Sequence, residues 1–231
     1  MNASTVQIQR RPVWGGWLRL AHWSMALSVC VLLATGWLLE YTVGVSDAAL
    51  DYHYISGAIL AMSLLLRLGL LLLDKSTGQW RALLPRRSYL KIMGETLRFY
   101  LSLAKMPLPK WYAHTPLWAP VYALTFVVLF TLALSGFFMT RHPVIAGFYL
   151  PGIHSFCSTF IWFFVILHLI SVFLHDLKGT GSYISAMISG YRIFVMEKPQ
   201  QAVEGAIQSV SLDSIMNTGR KNQPAGMKTP D

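Results

Sequence analysis

Four stretches of the chain are almost wholly apolar, running from about Leu18 to Tyr41, His53 to Leu73, Leu117 to Met139 and His154 to Leu174. A helix rises 1.5 Å per residue, so about 20 residues cross a ~30 Å hydrocarbon core and each stretch predicts one transmembrane span. The polar segments between them differ in kind. The link from Thr42 to Tyr52 and the link holding Arg141, His142, Pro143, Pro151 and Gly152 are short. The segment from Asp74 to Pro116 is long and carries Lys75, Arg81, Arg86, Arg87, Lys91, Arg98, Lys105 and Lys110. Inside it Tyr89, Ile92, Met93, Thr96, Leu97, Tyr100 and Leu101 recur at helical spacing. That pattern predicts an amphipathic helix over Arg87 to Lys105, lying on the membrane surface and stopped by Pro107 and Pro109.

The expected fold class is therefore all-α, an integral membrane four-helix bundle with one cytoplasmic amphipathic loop helix. Residues 1–17 read as an N-terminal tail, 18–177 as the bundle, and 178–231 as a polar C-terminal tail, disordered after about residue 198. No cleavage site follows the first apolar run, so the N-terminal tail is expected to be retained.

Composition agrees with this class. Of 231 residues 54% are hydrophobic and only 13% charged, which is too apolar for a soluble domain of this length. The net charge of +9 has to be read by its location rather than as a sign of nucleic acid, and no nucleic-acid partner is expected. The two short links hold a single basic residue, Arg141, whereas the N-terminus, the long segment and the C-terminal tail hold nearly all the rest. Lysine and arginine accumulate on the cytoplasmic side. Both termini are thus expected in the cytoplasm, with the chain crossing a bacterial inner membrane four times. Cys30 and Cys157 both fall within apolar stretches and have too few partners for a disulfide framework or a zinc site.

Histidine placement carries the chemistry. His154 and His168 are fourteen residues apart, which in a helix is about 40° short of four full turns and roughly 21 Å of rise. Both imidazoles then face one side of the last span, one near each surface. His22 lies about one turn into the first span and shares the cytoplasmic level with His168; His53 opens the second span and shares the outer level with His154. Ionisable groups inside membranes are costly and mark function. Two level-matched pairs predict two bis-histidine haems b, each iron held axially by His22 with His168 or by His53 with His154. Such an iron has no open position and changes valence with little rearrangement, which suits electron transfer.

Other spacings extend this pattern. Gly36 is fourteen residues after His22 and Gly57 one turn after His53. Either glycine would let a macrocycle approach its helix, and either would equally serve helix packing. Arg67, fourteen residues after His53, is placed to pair with a haem propionate or to snorkel to the interface. Arg19 lies close enough to the surface to snorkel. His114, His142 and His175 read as interfacial, with His175 and the adjacent Asp176 the best candidates for a quinone contact.

Taken together, Arg19-Leu-Ala-His22-Trp23 with Thr35-Gly36, the second-span histidine followed by Arg67, His114-Thr-Pro-Leu, Ser135-Gly136 and Ile184-Ser-Ala-Met-Ile-Ser-Gly-Tyr-Arg192 resemble the nickel-iron hydrogenase b-type cytochrome subunit. That subunit is one branch of the bacterial cytochrome b561 and formate dehydrogenase gamma superfamily. The resemblance covers about Arg11 to Phe194. It implies a membrane anchor that takes electrons from a periplasmic iron-sulfur partner and passes them through two haems to quinone, with quinone reduction at this subunit. Anchors of formate dehydrogenase or thiosulfate reductase type are alternatives. So is a stand-alone superoxide:quinone oxidoreductase, although the basic funnel that would steer such an anion is reduced here to Arg141 and His142, opposed by Asp47 and Asp51.

Overall fold

The computed structural model describes residues 6–42, 44, 46–74, 78–82, 84, 87–109, 111, 114–179 and 183–197. After strand β1 (Val6–Pro12) come α1 (Gly16–Tyr41) and α2 (Ser46–Leu73), two 3-10 turns, and α3 (Leu90–Leu101). The long helix α4 (Ala119–Phe138) is followed by the strands β2 (Val144–Ile145) and β3 (Phe148–Tyr149). Helix α5 (Leu150–Lys178), helix α6 (Tyr183–Ser189) and strand β4 (Tyr191–Glu197) complete the chain. The compact unit that contains the helices runs from Gln9 to Phe194. The expected disorder after residue 198 lies outside the described residues.

Helices α1, α2, α4 and α5 are long and apolar enough to span a membrane. In hydrocarbon every backbone N–H and C=O must be satisfied within the chain, and a helix does this without help from its neighbours. Side chains such as Leu27, Phe156 and Phe163 lie well exposed on the bundle surface, as lipid-facing residues should. The chain is a multi-pass membrane protein.

Two of these helices start earlier than hydropathy places them. Helix α2 begins at Ser46 and α5 at Leu150, so His53 lies two turns and His154 one turn inside its helix. Hydropathy marks where lipid begins, not where a helix can form: Asp47 in the first turn of α2 complements the helix dipole, and Pro151 is tolerated at the start of α5. At the other extreme, α3 is shorter than expected. Leu103 and Ala104 adopt positive φ values of 52° and 59°, ending the helix before the prolines are reached.

Met25 and Leu33 of α1, Leu60 and Leu64 of α2, Leu129 of α4 and Ile161 of α5 form the buried core. Ile161 is seven residues from both His154 and His168. An apolar layer thus separates the two histidine levels. Small hydroxyl residues allow the helices to pack closely: Ser63 and Thr125 bond back to the carbonyls of Ile59 and Val121, each at 2.8 Å, so neither introduces an unpaired group.

The bundle has two unlike ends. At one, here the hairpin end, β2 and β3 pair antiparallel with Val144 opposite Tyr149. At the other, the terminal end, α6 is fastened beneath α1. The backbone N–H groups of Val13 and Trp14 both donate to the Gly190 carbonyl, at 2.8 and 3.1 Å. Trp23 Nε1 donates to the Met187 carbonyl at 3.1 Å, and the Arg19 guanidinium donates to the Ile188 carbonyl. Gly190 has φ +86°, and a Cβ there would lie 2.8 Å from the Trp14 carbonyl oxygen, so this position requires glycine. Arg19, read as a snorkelling residue, is instead a tie between α1 and the end of α6. Strands β1 and β4 form a second two-stranded sheet within what sequence patterning reads as two polar tails.

Candidate functional site

The four histidines of the bundle meet as two facing pairs. His53 of α2 and His154 of α5 have ring centres 6.3 Å apart at the hairpin end. His22 of α1 and His168 of α5 have ring centres 6.4 Å apart at the terminal end. Two imidazoles on opposite sides of one iron, with metal–nitrogen bonds of about 2 Å, would have ring centres about 6.3 Å apart. Both pairs fit. Two imidazoles alone make a poor site for a bare ion, which takes about four ligands or more. Such a pair suits an iron whose other four positions are filled by a porphyrin.

At the hairpin end hydroxyl groups orient the rings. His53 Nδ1 lies 2.9 Å from Thr35 Oγ1, and His154 Nδ1 lies 3.0 Å from Ser135 Oγ. Thr35 donates its one proton to the Val31 carbonyl at 2.8 Å, and Ser135 donates to the Leu132 carbonyl at 3.2 Å. With those protons committed, each hydroxyl oxygen accepts from Nδ1–H, which leaves the Nε2 lone pair of both rings free for a metal. The adjacent glycines give the rings room. A Cβ on Gly36 would lie 3.7 Å from His53 Cε1, and one on Gly136 only 3.1 Å from His154 Cε1.

The terminal pair is held by other means. His168 stacks on Phe164 at 5.6 Å and 16°, and the edges of Trp118 and Tyr122 approach it at 6.4 and 6.1 Å. His22 meets Trp23 edge to face at 5.6 Å. Among the described residues, ring contacts rather than hydrogen bonds set these imidazole planes. Arg67 is only 5% exposed and its charge reaches His22. Its guanidinium donates to the Gly78 carbonyl at 3.0 Å and lies 5.4 Å over the Phe126 ring, with Asp74 within electrostatic reach. The snorkelling alternative for Arg67 does not describe a side chain this enclosed. Gly57 faces Leu32 of α1 at 4.0 Å and not a histidine, which is the packing role.

His114 precedes α4 at the terminal end. Its ring meets Trp14 at 4.8 Å and Tyr122 at 6.2 Å. Burial, assisted by the positive charge of Arg67, pushes its pKa down to about 4. His142 is exposed at the hairpin end.

His175 and Asp176 are both engaged within the protein. The His175 ring is 4% exposed and packed among Phe99, Tyr100, Trp111 and Tyr183. Its Nε2 is 2.7 Å from the Tyr100 hydroxyl, which also lies 2.8 Å from Ser171 Oγ and accepts from Trp118 Nε1 at 2.8 Å. Burial raises the Tyr100 pKa even though these hydrogen bonds oppose the shift. Asp176 Oδ1 accepts from the N–H groups of Tyr183 and Ile184 at 2.8 and 3.3 Å and so caps α6. Sequence reasoning missed this network and the hydroxyl partners of the hairpin pair. Thr35 and Ser135 stand out only as hydroxyl-glycine dipeptides within apolar runs.

The sequence model of the prokaryotic cytochrome b561 family matches residues 13–190, which includes all four paired histidines. The chain belongs to the prokaryotic cytochrome b561 family. It is accordingly a b-type cytochrome, a haem-binding electron carrier of the membrane, and the fit of both histidine pairs to a bis-imidazole iron agrees with that chemistry. Among its relatives is a probable Ni/Fe-hydrogenase B-type cytochrome subunit of Azotobacter chroococcum mcd 1, 26% identical over 215 residues, covering 79% of this chain and 88% of the relative. The subunit of the same name from Cupriavidus necator is 25% identical over 224 residues, covering 83% and 91%. The probable Ni/Fe-hydrogenase 1 B-type cytochrome subunit of Escherichia coli K12 is 24% identical over 206 residues, covering 76% and 87%. No solved structure matches this cytochrome.

Proposed function

We propose that this cytochrome is the di-haem membrane anchor of a nickel-iron hydrogenase-type complex. The observation that carries the reading is the pair of equally spaced histidine pairs, at 6.3 and 6.4 Å, on α1, α2 and α5. His53 and His154 would hold one haem b, and His22 and His168 the other. Haem bound at these sites supplies one-electron transfer between the partner and the quinone pool. The four imidazoles would supply the protein ligands to both irons, and the enclosing helices would keep bulk water away. The named role of the relatives in Ni/Fe-hydrogenase supports the choice of partner.

In this reading the protein lies in the bacterial inner membrane with its terminal end in the cytoplasm, because the basic residues concentrate on that side. The hairpin end, with short loops and few charges, then faces the periplasm and receives the iron-sulfur subunit of the partner. Quinone would be reduced near the terminal end. There His175 and Tyr100 form a proton-holding pair, while Asp176 contributes by fixing α6.

The test is functional reduction in the purified complex. With hydrogen as electron source both haems should be reduced, and a quinone analogue should reoxidise them. His22→Ala should leave one haem reducible by hydrogen and abolish quinone reduction. Normal quinone reduction by that variant would contradict the assigned order.

A further inference from the structure

His114 Nδ1 is buried and has no hydrogen-bond partner among the described residues. An unpaired buried imidazole nitrogen is destabilising and calls for a ligand or a water. Its surroundings narrow the choice. The ring is fixed between Trp14 and Tyr122, and Tyr122 in turn contacts His168, so one aromatic ring separates His114 from a histidine of the terminal pair. The charge of Arg67 reaches both His114 and His22. Positive potential and a spare nitrogen therefore meet beside the terminal pair, next to the start of α4 where a charged ligand would be near the membrane surface.

Haem b brings two carboxylates, each of which needs donors when drawn into a protein. We propose that His114 is a binding residue for a haem propionate at the terminal site, donating Nδ1–H to a carboxylate oxygen that also lies in the field of Arg67. A neutral imidazole can carry its single proton on either nitrogen, and an acceptor at Nδ1 fixes it there. This rests on the two-haem reading. The donated hydrogen bond offsets part of the propionate charge, which otherwise favours the oxidised iron, so losing the donor lowers the potential of that haem alone.

The experiment is a redox titration of the purified holoprotein carrying His114→Phe, with His114→Met as a second donor-free replacement. Haem is counted in every sample. Two haems per chain should remain, with one midpoint potential shifted negative and the other unmoved. His114→Gln, whose amide can donate, should restore the potential. In wild-type and variant protein reconstituted with haem dimethyl ester, which lacks the ionised carboxylates, the shift should vanish. Unchanged potentials in both donor-free variants, or an equal shift with the esterified haem, would overturn the proposal. A wild-type count below two would instead overturn the reading on which it rests.

Discussion

The two histidine levels use the same donor pair at nearly the same separation, yet they hold it differently. At the hairpin end Thr35 and Ser135 accept from Nδ1 and thereby set both the tautomer and the ring plane. At the terminal end Phe164, Trp118, Tyr122 and Trp23 surround the rings, and Arg67 adds a buried positive charge. A hydrogen bond orients an imidazole through one atom, whereas packing orients it through its faces and edges. The first device should be sensitive to loss of a single oxygen and the second tolerant of most single changes. Because an apolar layer centred on Ile161 separates the levels, each should also fail without the other.

The largest expected effect tests that independence. His53→Ala or His154→Ala should remove the hairpin-end haem and leave the other, and His22→Ala or His168→Ala should do the reverse, as read by haem content and redox titration. Loss of both haems from any one variant would mean that the levels are coupled.

Much of this arrangement was legible in the sequence. Fourteen residues bring a helix back to nearly the same face, so His154 and His168 point to one side whatever packs against them. The alternation of successive spans then matches His22 with His168 and His53 with His154 without any contact information. The partners were not legible in the same way. Thr35 and His53 are eighteen residues apart on different helices, as are Ser135 and His154 at nineteen, so their hydrogen bonds exist only once α1 packs on α2 and α4 on α5. Tyr100 and His175, seventy-five apart, meet only because α3 folds back on the bundle. The role of Asp176 in the fold was equally hidden: its carboxylate caps a seven-residue helix that hydropathy did not reveal.

A smaller effect sharpens the contrast between the two ways of holding a ring. Thr35→Val and Ser135→Ala each remove an oxygen that accepts from His53 or His154, and loss of such a partner weakens metal binding by about 10–100-fold. Haem retention under competition with apomyoglobin should fall for the hairpin-end haem only. Tyr122→Leu, which removes one of several rings around His168, should change terminal-end retention by less. Equal losses at both ends would refute the distinction.

The smallest expected effect lies outside both pairs. Tyr100→Phe leaves Trp118 Nε1 and His175 Nε2 without their shared hydroxyl, at a cost of about 1–3 kcal/mol. Thermal stability in detergent should drop accordingly while haem content stays at the wild-type value. A loss of haem would show that the network positions Trp118 against His168 and is not merely a fastening of α3.

The most direct measurement is the number of haems b per polypeptide, obtained by pyridine haemochrome analysis of the purified protein with its concentration fixed by amino-acid analysis. Two independent bis-histidine sites predict a ratio of two. A ratio of one or none, in protein whose four histidines are intact, would contradict the account.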